Sequence, residues 1–266
     1  MQMEGVLNQT SVATSTLIAV GSVATFFLTA VSAYAVRTLL VGRRQDEKLQ
    51  RLGGTMLLGA WFMEAVYWAI RAPGKLFARL GVKPDTLTVT SLVLTLACAP
   101  IAAVGHFSTA GLLFLIGSAF DALDGMVARE TGTVKKSGAI LDSVLDRYAD
   151  AAPMIGLAVF YRFSVWQMLI PLAALLGSQL VSYVRAKAES MDLNLPSTLM
   201  RRHERVAYIA AALIIAPMLT PILERPFGAV HPATLTIILM VAIVSNLVAV
   251  RLLLAARKLL DAKAQG

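Results

Sequence analysis

The chain has 266 residues, of which 57% are hydrophobic, and it carries a formal net charge of +8. Several apolar runs are about long enough to cross the roughly 30 Å hydrocarbon core of a bilayer, and the mean hydropathy is positive. This composition excludes an ordinary soluble protein and predicts an integral membrane protein. The single cysteine, Cys98, excludes an internal disulfide and disfavours a cysteine metal site. No nucleic-acid-binding motif accompanies the positive charge, so we predict no nucleic-acid partner.

The first predicted element is an apolar run from about residue 16 to residue 40, after a stretch whose one charge is Glu4. A signal peptide would have a basic start and a shorter apolar core. We therefore predict a transmembrane helix with its N-terminus outside. Residues 1–54 comprise this helix and a cytoplasmic linker, which is marked by the basic residues Arg43, Arg44, Lys48 and Arg51.

Residues 55–84 are predicted to contain an amphipathic helix that lies in the membrane interface. Large apolar side chains alternate there with Arg71, Lys75 and Arg79, which are spaced four apart and share one helix face. Pro73 and the glycine after it predict a break in this helix. The alternative is an eighth spanning helix, which Glu64 and the basic side chains disfavour.

Residues 85–266 are predicted to form six further spans, so the fold class is an all-α polytopic membrane helix bundle. The spans cover about residues 86–104, 109–129, 138–161, 165–188, 204–219 and 234–255. Of the 24 Lys and Arg residues, only Arg162 and Arg225 fall near predicted outer ends, which leaves 22 on or near the cytoplasmic side. This strong positive-inside bias predicts a cytoplasmic C-terminus in the inner membrane.

Four aspartates, Asp121, Asp124, Asp142 and Asp146, lie where the third predicted span ends and the fourth begins. Spacings of three and four place each pair on one helix face, and both pairs meet at the cytoplasmic side of the membrane. Carboxylates so close to a membrane normally face a partner, a cavity or a metal. Two divalent cations would neutralise the four charges, and such a site is suited to phosphoryl chemistry.

The run from residue 121 to residue 146 resembles the signature of the CDP-alcohol phosphotransferases. That signature is Asp, two residues, Asp-Gly, two residues, Ala-Arg, eight residues, Gly, three residues, Asp, three residues, Asp. Every fixed position is met, by Asp121, Asp124, Gly125, Ala128, Arg129, Gly138, Asp142 and Asp146. The resemblance implies a six-helix membrane core, often a homodimer, to which the first helix of this chain is an addition.

The resemblance also implies the reaction and the metal. An acceptor hydroxyl attacks the lipid-side phosphate of CDP-diacylglycerol, a membrane lipid, and CMP leaves. Asp121, Asp124 and Asp142 are expected to bind Mg²⁺ or Mn²⁺, as two ions. Asp146 is expected to act as the general base and to contact a metal as well; the alternative for Asp146 is a purely metal-binding role.

A second group is expected to bind the CDP-lipid. In the family, the segment that enters the first core span touches the nucleotide, and here it contains Asp85, Thr86, Leu87 and Thr88. Gly125 would let the nucleotide approach its helix, or else serves close helix packing. Arg129 has the planar, permanently charged fork that suits a diphosphate oxygen, although a positive-inside charge is the alternative. Lys135 would reach the diphosphate or remain a solvated loop charge.

Three arginines, Arg185, Arg205 and Arg251, come from three predicted spans at the membrane level of the aspartates. Each alone fits a positive-inside charge, but together they form a socket for a phosphorylated polyol acceptor. This set is similar to the branch of the family that makes phosphatidylinositol phosphate and archaetidylinositol phosphate, and it implies myo-inositol 1-phosphate as acceptor. Two departures are Arg185, where lysine is usual, and Arg201, where glutamate is usual.

The sequence leaves open a different acceptor, a different class of membrane protein and two roles for Asp150. Glycerol 3-phosphate also carries a phosphate and is the other acceptor that the arginines would fit. A cation transporter would use the aspartates near the membrane midplane, whereas these lie close to the cytoplasmic helix ends. Asp150, one turn after Asp146, either supports the metal site or pairs with a basic residue.

Overall fold

The computed structural model describes residues 2–42, 59–219 and 230–264, and these residues form helices joined by turns and by one longer connection at residues 190–201. The helices are α1 (Gln2–Val41), α2 (Gly59–Arg79), α3 (Pro84–Ala103), α4 (Phe107–Glu130), α5 (Lys136–Phe160), α6 (Val165–Glu189), α7 (Arg202–Ile214) and α8 (Pro232–Ala264), with a 3₁₀ turn at Ala216–Leu219. The predicted all-α fold is confirmed. The predicted basic linker (Arg43, Arg44, Lys48, Arg51) and Arg225 lie outside the described residues.

Among the described residues, five segments are long and apolar enough to cross a membrane. They are Val20–Val41, Pro84–Ala103, Phe107–Glu130, Val165–Glu189 and Pro232–Lys263. Large apolar side chains on them face outward; Leu28 of α1, for example, is 67% exposed. Because so much exposed apolar surface requires a lipid environment, the chain is an integral membrane protein.

The other two predicted spans coincide with α5 and α7, which do not meet the same criterion of length and composition. Helix α5 is long enough, but five charged side chains lie between its start and its middle, Lys136, Asp142, Asp146, Arg147 and Asp150. Helix α7 has only 13 residues. The count of seven spans, the domain bounds 1–54, 55–84 and 85–266, and the membrane orientation therefore stay predictions.

The predicted break in the interfacial helix is wrong, because α2 runs from Gly59 to Arg79 with Pro73 inside it. A proline removes one helical hydrogen bond but does not end a helix that tertiary packing holds on both sides of it. Here Gly74 lies directly against Met126 and Leu123 of α4, so that a Cβ at Gly74 would come within 2.5 Å of the Met126 sulfur. This packing maintains the helix through the proline.

The chain divides into two compact units, Met1–Ala97 with Leu112–Ala149, and Cys98–Gly111 with Asp150–Gly266. The apolar core of the first unit joins α2, α3 and α4. It consists of Ile70, Leu87, Leu123 and Val127, against which Tyr67, Phe77, Phe120 and Met126 pack.

The first unit also contains the contact between α1 and α2. The Tyr34 side chain is only 2% exposed, and its hydroxyl donates a hydrogen bond to Glu64 Oε2 at 3.1 Å. The rings of Trp61 and Trp68 lie 5.7 and 6.0 Å from the Tyr34 ring. A buried carboxylate is costly unless it accepts hydrogen bonds, so this bond stabilises the attachment of the first helix.

In the second unit, α6 packs closely against α8. Val181 of α6 shares an apolar cluster with Val248 and Leu252 of α8. Gly177 permits the close approach, since a Cβ there would lie 2.8 Å from the Asn246 backbone nitrogen. Arg185 lies on α6 near the end of this packed pair.

Candidate active site

Three of the predicted aspartates converge in the first unit. Asp121 of α4 and Asp142 and Asp146 of α5 each present a carboxylate oxygen, and these oxygens all lie within 4.8 Å of one another. We call these three residues the acidic cluster. Each is half-buried. The helical spacing read from the sequence places Asp142 and Asp146 one turn apart on one face of α5.

A tight connection between α4 and α5 brings the two aspartate pairs together. Helix α4 ends at Glu130 and α5 begins at Lys136. Gly132 has a φ of 65°, a conformation that glycine adopts at low cost, and it reverses the chain after α4. The end of α4 and the start of α5 therefore lie side by side.

Asp124 occupies a different environment from the acidic cluster. It is 6% exposed, and Thr88 Oγ of α3 donates a hydrogen bond to Asp124 Oδ2 at 2.6 Å. Gly117 allows α3 to approach α4 this closely, because a Cβ there would lie 3.0 Å from the Ser91 carbonyl oxygen. Thr88 was predicted to bind nucleotide; in this structure it orients Asp124, whose metal-binding role stays a prediction.

A small cleft opens beside the acidic cluster. Its lining combines hydroxyl groups of α3 with carboxylates of α4 and α5: Thr88, Ser91, Leu92, Asp121, Leu145, Asp146 and Ala149. The oxygen atoms of this lining are the hard ligands that Mg²⁺ and Mn²⁺ prefer. Three carboxylates of like charge at this separation stabilise a divalent cation between them, so the donor set fits the implied metal.

Some of the residues predicted to bind the CDP-lipid lie close to the helices that carry the acidic cluster. Asp85 is exposed and lies next to the start of α5, since a Cβ at Gly138 would be 3.9 Å from Asp85 Oδ1. A Cβ at Gly125 would be 3.3 Å from Arg129 Nη1, so the glycine leaves space for the guanidinium.

The remaining members of the predicted CDP-lipid group differ in burial. Thr86, Arg129 and Lys135 are exposed. The Leu87 side chain is 3% exposed and belongs to the apolar core of the first unit, so its role there is packing. Contact of these residues with a CDP-lipid stays a prediction.

Tyr67 of α2 is a residue near this site that the sequence did not single out. Burial raises the pKa of its phenol, the positive charge of Arg129 lowers it, and the negative charge of Asp121 raises it. The hydroxyl is thus within electrostatic range of both groups. On the sequence alone Tyr67 is one of several large side chains on an amphipathic helix, and nothing distinguishes it from packing residues.

The second unit contains a separate group of positive side chains, Arg185, Arg201, Arg202 and Arg205, which we call the basic cluster. Arg205 is 2% exposed. It donates hydrogen bonds to Asp150 Oδ2 at 2.8 Å, the Met200 carbonyl at 2.8 Å and Ser182 Oγ at 3.0 Å. Arg202 Nε also donates to Asp150, at 3.3 Å. Asp150 therefore pairs with basic residues, one of the two interpretations of its position.

Two donors of the basic cluster have no acceptor among the described residues. These are the buried Nε–H groups of Arg185 and Arg205. Arg185 Nη2 donates a hydrogen bond to Thr198 Oγ1 at 2.6 Å. Buried donors without an acceptor are costly, and an anion would satisfy them.

The third residue predicted to bind the acceptor, Arg251, differs from Arg205 in its burial. It is exposed on α8 and, unlike Arg205, is not buried. His203 adds no charge to the cluster near neutral pH, because burial, together with the charges of Arg201 and Arg205, lowers the pKa of its imidazole against the opposing effect of Glu204.

Comparison with known sequences finds relatives with inositol phosphate products in their names. The archaetidylinositol phosphate synthase of Pyrococcus horikoshii is 38% identical over 118 residues, which are 44% of this chain and 60% of that protein. The phosphatidylinositol phosphate synthase of Mycobacteroides abscessus is 34% identical over 145 residues, 52% of this chain and 64% of that protein. The matched stretches thus span less than two thirds of either relative.

Solved structures give a similar result. The phosphatidylinositol phosphate synthase of Mycobacterium tuberculosis with CDP-DAG bound superposes with a TM-score of 0.61 and 26% identity, covering 70% of this chain and 92% of that one. The same enzyme in complex with manganese and citrate gives a TM-score of 0.61 over 70% of this chain and 88% of that one.

Residues 82–256 match the family described as CDP-alcohol phosphatidyltransferase. This range contains the whole signature from Asp121 to Asp146, as well as the basic cluster, and it excludes α1 and α2. The match covers more than half of the chain and includes the acidic cluster with its signature spacing. The chain belongs to the CDP-alcohol phosphatidyltransferase family.

Proposed function

We propose that this protein synthesises a phospholipid by transferring the phosphatidyl group of CDP-diacylglycerol to a hydroxyl of myo-inositol 1-phosphate, with release of CMP. The observation that carries the proposal is the convergence of Asp121, Asp142 and Asp146 within 4.8 Å, at the spacing of the family signature. The named products of its relatives, and the CDP-DAG bound to a structural neighbour, support the choice of substrates.

In the proposed reaction the acceptor oxygen forms a bond to the lipid-side phosphorus, and the bond from that phosphorus to the oxygen of CMP breaks. Asp146 takes the proton of the acceptor hydroxyl as general base, for which it must come within hydrogen-bond reach of that hydroxyl. Asp121, Asp124, Asp142 and Asp146 would hold two Mg²⁺ or Mn²⁺ ions. When bound, these ions would polarise the phosphate and neutralise charge on the leaving group.

The protein's own residues would bind and orient the CDP-lipid. Arg129 offers a permanently charged, planar donor set for the diphosphate, next to the open space at Gly125. Asp85, Thr86, Leu87, Thr88 and Lys135 complete the proposed CDP-lipid group. Thr88 would also keep the Asp124 carboxylate in one orientation through its 2.6 Å hydrogen bond.

The acceptor phosphate would bind to the arginines of the second unit. The buried Nε–H groups of Arg185 and Arg205, which lack an acceptor among the described residues, support an anion at this place. Arg251 would add a third positive charge. An acceptor without a phosphate would leave these donors unsatisfied, and this favours inositol phosphate over free inositol.

We propose further that the protein is a homodimer in the cytoplasmic membrane, with the acidic cluster open to the cytoplasm. The distribution of Lys and Arg supports this orientation. A Lys135→Cys variant in a Cys98→Ser background would test it, because a membrane-impermeant thiol reagent should label inverted vesicles and leave intact cells unlabelled. Labelling of intact cells only would contradict the orientation.

The activity is tested with purified protein, CDP-diacylglycerol, Mg²⁺ and radiolabelled myo-inositol 1-phosphate, which should give a labelled lipid and CMP. Parallel reactions contain glycerol 3-phosphate or free myo-inositol. Lipid labelled from glycerol 3-phosphate alone would reject the acceptor and keep the reaction class. The variant Asp121→Asn should be inactive, whereas Asp261→Asn, the same change at an exposed site on α8, should be active.

A further inference from the structure

Asp150 lies at the centre of a buried ionic network in the second unit. Its carboxylate is 6% exposed, and the Arg205 side chain that contacts it is 3% exposed. Oδ2 accepts a hydrogen bond from Arg205 Nη2 at 2.8 Å, and Oδ1 accepts one from Arg202 Nε at 3.3 Å. The Asp150 carboxylate thus accepts hydrogen bonds from two arginines.

The other hydrogen bonds of Arg205 fix its guanidinium in one position. Nη1 donates to the Met200 carbonyl and Nη2 also to Ser182 Oγ, so both terminal nitrogens are used within the protein. Met200 is held at a φ of 60°, a region that side chains other than glycine rarely adopt. Strained backbone of this kind persists where surrounding contacts over-determine it, and the bond from Arg205 is one such contact.

The start of α7 presents both arginines to the same carboxylate. Arg202 and Arg205 are three residues apart and share a helix face. The helix is fixed at its beginning, because the Arg201 backbone N–H donates to Glu204 Oε2 at 3.2 Å. The Nε–H is the Arg205 donor that has no acceptor among the described residues.

We infer that Asp150 is a positioning residue for the phosphorylated acceptor. It holds Arg205 so that the two terminal nitrogens bond to protein and the Nε–H stays available for the acceptor phosphate. Asp150 itself does not contact the acceptor. The inference rests on the proposed function, since it takes the basic cluster as the place where the acceptor phosphate binds.

The test compares Asp150→Asn with wild type under saturating CDP-diacylglycerol. The asparagine keeps the size and one acceptor oxygen but loses the charge that holds both arginines. We expect the KM for myo-inositol 1-phosphate to rise by at least about tenfold, while the KM for CDP-diacylglycerol stays within about twofold. Asp261→Asn, the same chemical change at an exposed position of α8, should alter neither constant.

The direction of the change in acceptor KM is decisive. A lower KM in Asp150→Asn would mean that the carboxylate competes with the acceptor for Arg205, and it would overturn the inference. An unchanged acceptor KM, or an equal increase in the KM for both substrates, would mean that Asp150 is only a structural ion pair and would reject the inference. Ser182→Ala removes a neutral hydrogen bond to Arg205 and should raise the acceptor KM by about fivefold, so it tests the same idea if Asp150→Asn does not fold.

A binding measurement separates failure of the inference from failure of the proposed function. Inorganic phosphate should raise the thermal unfolding temperature of the wild-type protein in detergent, and this protection should be weaker in Asp150→Asn than in Asp261→Asn. If the wild type turns over no inositol phosphate but shows this pattern, the acceptor is wrong and the role of Asp150 stands. Equal protection of both variants, or no protection of the wild type, would reject the role of Asp150.

Discussion

The acidic cluster of the first unit and the basic cluster of the second are assembled by different means. Asp121, Asp142 and Asp146 lie within one helical hairpin, and their separation along the chain is short. The basic cluster instead draws residues from α6, from α7 and from the connection between them, and it includes a counter-ion, Asp150, from α5. Local spacing is therefore sufficient for the first site, whereas the second depends on helix packing.

The two clusters also balance charge differently. Three carboxylates within 4.8 Å of one another suit a divalent cation brought from solution. In the basic cluster Asp150 already pairs with two arginines, and the buried Nε–H groups of Arg185 and Arg205, which lack an acceptor among the described residues, suit an anion. We therefore predict that substitutions in the acidic cluster stop the transfer reaction, whereas substitutions in the basic cluster change the affinity for the acceptor.

Metal removal should have the largest effect. Chelation with EDTA should lower turnover by more than about 10³-fold, because the charge of the leaving group is then not neutralised. Added Mg²⁺ or Mn²⁺ should restore the rate, as measured by CMP release. Full activity in excess EDTA would contradict a metal role for the acidic cluster.

Asp146→Asn should lower kcat by about 10²–10⁴-fold, the range for loss of a general base. The variant should still bind a CDP-lipid, since the other three aspartates remain. This binding is measured as protection against thermal unfolding. Loss of binding together with activity would instead support the purely metal-binding alternative. Asp261→Asn is the matched control, because it makes the same substitution at an exposed residue.

Arg205→Ala should mainly raise the acceptor KM, by about 30-fold or more, since it removes a buried charged donor and leaves Asp150 with one partner. The KM for CDP-diacylglycerol should change little, which distinguishes the two clusters. Arg257→Ala, at an exposed position on α8, is the control. Equal changes in both KM values would show that the basic cluster does not act on the acceptor alone.

Thr88→Val should have a moderate effect within the first unit. Valine keeps the shape but cannot donate to Asp124, and an unsatisfied buried group costs about 1–3 kcal/mol. We expect kcat/KM for CDP-diacylglycerol to fall by about tenfold. Thr90→Val, which removes a hydroxyl bonded only to its own helix at the Thr86 carbonyl, should be close to wild type. Equal effects would mean that Thr88 does not act through Asp124.

Tyr34→Phe should have the smallest effect and leave both clusters intact. It removes the hydrogen bond to Glu64 and should lower the free energy of unfolding by about 1 kcal/mol, measured by denaturant unfolding in detergent. Kinetic constants should not change. Tyr183→Phe, at an exposed tyrosine of α6, provides the control. A fall in kcat would show that the contact between α1 and α2 also supports the acidic cluster.

The sequence by itself determined the helical fold, the family signature and the three members of the acidic cluster, although it placed with them Asp124, which in the structure accepts a hydrogen bond from Thr88. Helical periodicity is a local property, and a spacing of four residues fixes a shared face wherever the helix is placed. The turn at Gly132 is likewise local, so the approach of α4 and α5 was predictable from residues 121–146.

Only the tertiary structure decided the continuity of α2 through Pro73, the bond from Thr88 to Asp124, and the pairing of Asp150 with Arg202 and Arg205. The sequence indicated that Arg205 is basic and near a helix start, but it did not specify which of its nitrogens are used by the protein. Such contacts join residues far apart in the chain, and the packing of whole helices sets their distances, which no local pattern specifies.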